Sequence, residues 1–170
     1  MHFSIERKRG VKLKKELFMK LNSLNVNDKT EKKQKLTYLS WAWAWAEFMK
    51  ECPNATYTIN KYDGKPYLYD DKLGYMVSTS ITVDGDTKEM WLPVMDNSNK
   101  AMKDHPYKYK VKNFNTGEIV EKTVDSASMF DINKTIMRCL VKNIAMFGLG
   151  LYIYAGEDLP EEYEDEKQSN

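Results

Sequence analysis

Cysteine and histidine are scarce in this chain: 170 residues hold two of each. Cys52 and Cys139 stand far apart, with none of the spacing that holds a structural zinc. They read as buried thiols of a reducing compartment. His2 stands near the start and His105 in a polar stretch, so neither a Ser-His-Asp nor a Cys-His arrangement is supported. Phosphate-binding loops are lacking as well. Gly64-Lys65 is followed by Pro66 and lacks the first glycine of G-x-x-x-x-G-K-[ST]; Gly148-Leu149-Gly150 follows a helical pattern where a dinucleotide loop would follow a strand. Asp63, Asp70, Asp71, Asp84, Asp86 and Asp96 offer carboxylates for magnesium, but most sit in or beside turns, where Asp is expected on backbone grounds. The expectation is a protein without catalytic chemistry, cofactor or metal, with a metal nuclease as the minor alternative. The longest apolar run, Trp41 to Ala46, falls far short of the ~20 residues of a membrane span. Residues 1–15 lack the apolar stretch of a secretion signal, which points to a soluble cytoplasmic chain without a membrane partner.

A net excess of one charge sign is also missing: 26 Lys+Arg stand against 25 Asp+Glu, a formal charge of +1. The total hides a polarised chain. Residues 1–35 hold eleven basic and four acidic residues, and residues 156–170 hold seven acidic residues and one lysine. The body between them is balanced. Such asymmetry is a hint about partners.

What is present is apolar and aromatic: 42% apolar residues, with four Trp, eleven Tyr and ten Met, ample for one folded domain. Residues 1–15 are basic and poorly patterned and read as a flexible extension. Leu13, Leu17, Leu21 and Leu24 suggest a short amphipathic helix, and residues 22–35 a polar linker. Over 38–51 three Trp alternate with Ala. Alternation suggests a strand, but Ala is the best helix former, and the Ser40 cap and Pro53 stop frame a helix over 41–51. On it Trp41, Trp45, Phe48 and Met49 share a face, and Trp43 points away. Trp43 either packs on a neighbouring element or subunit, or offers a platform for a nucleotide base. Strands are expected over 55–61, 66–69, 74–83 and 87–95, turned at Asp63-Gly64 and Asp84-Gly85, as an antiparallel meander.

Residues 97–125 form a long polar insertion with Lys100, Lys103, Lys108, Lys110 and Lys112 among Tyr107 and Tyr109, opposed by Asp104. A small hairpin across 115–117 fits them. Lysine interleaved with tyrosine suits either a solvated hairpin or an arm that tracks phosphates and stacks bases. Residues 126–147 give the strongest helix. Ser128 and Asp131 make a capping box, and Met129, Ile132, Ile136, Leu140, Ile144 and Phe147 form the apolar stripe. Lys134, Arg138 and Lys142 recur at i, i+4 and i+8, a basic ridge whose mutual repulsion a polyanion would offset. Residues 149–155 read as a short β-prone segment that packs back on the sheet or on an adjacent subunit. The acidic residues 157–170 read as a disordered tail. The fold class is α+β: an N-terminal helix, a three- to four-stranded antiparallel meander, and a long C-terminal helix packed on the sheet.

The segments LTYLSWAWAWAEFMKECPNATYTI, WLPVMD and FDINKTIMRCLVKNIAMFGLGLYIYAGEDLPEE closely resemble the phage and prophage single-strand DNA annealing proteins of the Sak type. The resemblance covers about residues 16–162, leaving 1–15 as an extension and 16–156 as the annealing core. It implies distant kinship with the eukaryotic ring-forming annealing protein of recombination. Further implications are a homo-oligomeric ring or helical filament and an outer basic groove that holds single-stranded DNA with its bases exposed. By resemblance the groove falls on Arg138 and Lys142, with Trp43 near it; Lys134 and the lysines of the insertion with Tyr107 are added from charge pattern. No catalysis is implied. The expected role is annealing complementary strands in phage recombination, in the bacterial host cytoplasm, with a single-strand-binding protein or phage exonuclease as a further partner. The alternative is a non-catalytic adaptor that binds such proteins through its acidic tail.

Overall fold

The computed structural model describes residues 2–33, 36–113 and 116–155; the expected acidic tail, 157–170, lies outside them. The chain divides into two compact units, residues 1–53 with 144–170, and residues 54–143.

In the first unit, helix α1 runs His2–Asn22, through the basic stretch for which the sequence suggested an extension. Its last turns supply Leu21 to the core, while residues 10–16 are all exposed. The expected linker over 22–35 is structured instead through its described residues, 22–33. A single 3-10 turn, Asn27–Lys29, leads into strand β1, Thr30–Lys33, which pairs antiparallel with β2, Leu36–Leu39. TEKK carries no apolar alternation, so its pairing was invisible in the sequence. Helix α2 spans Trp41–Glu51 as expected: the alanine helix propensity prevails over the alternation. Ser40 occupies the cap position, but its side chain makes no capping hydrogen bond. The buried residues of α2 are Ala44 and Phe48. Phe48 meets Phe147 at 5.4 Å between ring centroids. The expected inward face is corrected at one position. Trp41 is 46% exposed and is the outermost of the three Trp, because it is the first residue of the helix, while Trp43 and Trp45 are half-buried.

Residues 149–155 do not form the expected strand. Gly148 and Gly150 have φ of 119° and 67°, and the chain turns through a 3-10 helix, Leu151–Tyr154. The Tyr152 hydroxyl accepts a hydrogen bond from the Val26 N–H at 3.0 Å and donates one to Asn27 Oδ1 at 2.8 Å, which anchors this turn.

The second unit is built on one long strand. β5, Gly74–Val83, pairs along one edge with β6, Asp86–Pro93. Its other edge takes two short strands end to end: β4, Leu68–Asp70, against 74–76, and β3, Thr56–Ile59, against 79–82. The expected simple meander is therefore corrected. β3 and β4 do not pair with each other; ten residues of β5 are long enough to seat both. Both Asp-Gly turns are present. Asp63 and Gly64 have φ of 49° and 79°, and Asp84 and Gly85 have 48° and 78°, the left-handed pairs of tight turns. The predicted hairpin also forms, as a separate two-stranded sheet: β7, Tyr107–Lys112, and β8, Ile119–Val124.

Helix α3 spans Met129–Ala145. Its predicted capping box is made in full: Asp131 N–H donates to Ser128 Oγ at 3.3 Å, and Ser128 N–H and Oγ donate to Asp131 Oδ2 at 3.0 and 2.6 Å. Ile132 and Ile136 pack with Val77, Val94, Met102, Val124 and Cys139 in the core of this unit. Met129 leaves the expected stripe and is exposed, since the helix begins there. Asn143 ties helix to sheet: its Nδ2 donates to the carbonyls of Thr79 and Lys88 at 2.9 and 3.1 Å. Both thiols are buried, as expected. Burial pushes the Cys139 thiol up, partly offset by the Thr79 hydroxyl.

Candidate nucleic-acid interface

The basic row on α3 starts at the capping box. Asp131 is half-buried, and burial alone would raise its carboxyl. The Ser128 hydroxyl and N–H, together with the Lys134 ammonium, outweigh that and hold it below the usual range. Lys134 Nζ lies 3.2 Å from Asp131 Oδ1, so the first cation of the row is already ion-paired. The sequence reading missed this acid because it looked only along the row; Asp131 sits three residues before Lys134, on the next row over. Arg138 and Lys142 follow one and two turns on and are half-buried. Over eight residues the row spans about 12 Å.

The insertion splits its lysines between two faces. Along β7, Tyr107, Tyr109 and Val111 are half-buried, while Lys108, Lys110 and Lys112 alternate to the exposed face. Lys108 Nζ pairs with Glu121 at 2.7 Å, and Glu121 stands opposite Lys110 in register. On the tyrosine face, Lys103 Nζ lies 5.6 Å from the Tyr107 ring centroid and Lys100 Nζ lies 5.2 Å from that of Tyr109. The Tyr107 hydroxyl donates to the Ala101 carbonyl at 2.7 Å. Tyr107 is thus held by its own chain at both ring and hydroxyl. Asp104, the one acid expected to oppose these lysines, instead accepts hydrogen bonds from Tyr69 and His105, both at 2.6 Å. Those bonds hold its carboxyl below the usual range. The bond to Asp104 pushes Tyr69 up to about 12.

Lys134, Arg138, Lys142 and the insertion residues belong to the second unit, and Trp43 belongs to the first. The two most exposed aromatics among the described residues of the second unit escaped the sequence reading. Trp91 is 59% exposed. Its neighbours Met90 and Leu92 pack against the core, so strand alternation already turns Trp91 to the other face. Phe130 is 74% exposed and lies four residues before Lys134. Among the described residues no group of three or more His, Cys, Asp or Glu is placed to hold a metal ion. Among them, too, no helix is long and apolar enough to cross a membrane.

The chain matches the protein family described as Sak Single Strand Annealing Protein over residues 15–170. The matched region begins where the basic extension was expected to end. No curated protein and no solved structure matches the chain.

Proposed function

Because this chain belongs to the Sak single-strand annealing protein family, we propose that it holds single-stranded DNA by its backbone along a basic surface that includes Arg138 and Lys142. The bases stay free there to meet a complementary strand. Annealing of strands in phage recombination is the activity the family carries; the surface and its residues are our reading. The observation that supports it is the row Lys134–Arg138–Lys142, three cations at successive i+4 positions of one helix. No chemical step is required of the protein. Base pairing drives the reaction, and the protein neutralises phosphates and orders the strand.

One row of three cations is a small surface. In a ring or helical filament of identical copies the rows would join into a track, which is why self-assembly belongs to the proposal. Lys100, Lys103, Lys108 and Lys110 extend the same charge on the insertion. Tyr107, tied to Ala101, serves best by presenting Lys103. Trp43 is assigned either to a base or to a neighbouring copy. The acidic residues 157–170 are the element by which a single-strand-binding protein or an exonuclease would dock in the host cytoplasm.

The test is an annealing assay with fluorescent complementary oligonucleotides, run beside electron microscopy of the same sample. Binding that depends on salt with a slope of about −0.7 per neutralised phosphate is expected. The double variant Arg138→Ala, Lys142→Ala should flatten that slope by about 1.4 with its thermal unfolding unchanged. An unaltered slope in the folded double variant removes the surface assignment. Exclusively monomeric particles, with and without DNA, remove the assembly. Trp43→Ala is expected to reduce annealing or assembly without unfolding the chain.

A further inference from the structure

The α3 row has one more member than its charges show. Phe130, Lys134, Arg138 and Lys142 stand at successive i+4 positions, so the most exposed aromatic ring among the described residues of the second unit heads the basic row. Its ring is 74% exposed, and the Lys134 ammonium lies 5.9 Å from its centroid. Core packing does not explain it: the apolar residues of α3 that bury themselves begin at Ile132. Helix capping does not explain it either, since Ser128 and Asp131 make the cap between them. Met129 beside it is exposed as well, so the start of α3 presents two adjacent large apolar side chains to solvent at the head of the basic row.

Resting on the single-strand reading above, we propose that Phe130 is a base-stacking residue: a nucleobase of the bound strand lies on its ring while the adjoining phosphates meet Lys134 and Arg138. The charge of the row selects this occupant. An apolar surface on a second copy would have to desolvate Lys134 beside the ring, whereas a nucleotide satisfies both groups at once, base on aromatic and phosphate on ammonium. Every base presents a π-face, so such a contact adds affinity without sequence preference. It also fits strand annealing, because a base stacked on one face keeps its pairing edge open. Trp91, also exposed, lacks this setting: its directly paired neighbour is Ser78, and the adjacent outward position on its strand is Glu89.

The experiment uses the full chain and a single-stranded oligonucleotide carrying 2-aminopurine, with affinity measured across a salt series. Stacking is insensitive to screening, so Phe130→Ala should weaken binding about 5- to 150-fold at every salt concentration and leave the slope unchanged. Phe130→Tyr and Phe130→Trp should keep the affinity and the quenching of 2-aminopurine. Phe130→Leu, apolar but not aromatic, should lose both. Equal affinity in the Ala and wild-type chains overturns the inference. So does a Leu variant that binds like wild type, or an Ala variant that changes only the oligomeric state. The reading it rests on fails separately: the Arg138→Ala, Lys142→Ala chain then keeps its salt slope, whatever Phe130 does.

Discussion

Asp131→Asn should weaken the fold and strengthen DNA binding at once. The carboxylate does two jobs. It closes the capping box of α3 by accepting the Ser128 N–H and hydroxyl, at 3.0 and 2.6 Å. It also holds Lys134 at 3.2 Å. An amide keeps one acceptor but loses the charge, the favourable interaction with the helix N-terminus and the ion pair. Caps of this kind contribute about 1 kcal/mol and a first-turn acid about 0.3–1 kcal/mol. A loss of about 1–2 kcal/mol follows, a fall in Tm of roughly 3–6 °C for a chain of this length. The acid limb provides an internal check. The folded carboxyl sits below its unfolded value near 3.9, so its contribution is fully present above that pH and is lost as pH falls through the folded value. Wild type and Asp131→Asn should therefore differ in denaturant unfolding at pH 7, and the difference should shrink as pH falls below the unfolded carboxyl value. Meanwhile Lys134 loses the carboxylate that competes with phosphate for its ammonium, so the salt slope for single-stranded DNA should steepen by up to about 0.7. Adding Lys134→Gln should cancel that gain and leave the stability loss. A variant whose DNA affinity falls in step with its stability, or whose unfolding matches wild type at pH 7, refutes the reasoning.

Gly148→Ala should cost about 2–3 kcal/mol. Its φ is +119°, and an added Cβ would stand 2.7 Å from the Phe18 carbonyl oxygen, a backbone atom that cannot rotate aside. Gly85→Ala, in a turn with nothing within 4 Å, should cost clearly less in the same unfolding titration. Asn143→Ala should lower stability by about 2–3 kcal/mol, since it opens a cavity and strips the Thr79 and Lys88 carbonyls of a buried donor. Thermal melts would read this loss. Cys139 should resist a disulfide exchange reagent in the native protein and react only at the rate of unfolding, because it is buried and its thiol is pushed up.

Features set by neighbours in the chain were legible in the sequence. The Ser128/Asp131 box, both Asp-Gly turns, the bounds of α2 and the ten residues of β5 depend on local geometry and on one buried face. Features set by distant partners were not. The two units could not be read, because no composition shift marks Pro53 or Asn143, and α3 carries the chain across the second boundary without a break. That β3 and β4 share one edge of β5 depends on how much of β5 is left unpaired, which alternation does not encode. Helical angle placed Trp41 among the inward residues, but burial also depends on position along the helix axis, and a first-turn residue runs out of neighbours.

Charge shows the same division. Counting acids along a row left Lys134 unopposed; counting the rows beside it finds Asp131. Along β7 the alternation hides a second separation. Its three exposed lysines face away from Tyr107 and Tyr109, whereas Lys100 and Lys103, from the segment before the strand, cover those rings. A cluster that reads as one basic, aromatic arm is therefore two surfaces. One is lysine-rich and partly neutralised by Glu121. On the other, the rings are already engaged by their own lysines. Phe130 also has a lysine beside it, Lys134 at 5.9 Å, but its ring is exposed where those of Tyr107 and Tyr109 are half-buried. If the bound strand needs both a cation and an open aromatic face, α3 meets that need more fully than the insertion. The insertion's lysines then act through long-range attraction, which added salt should abolish first.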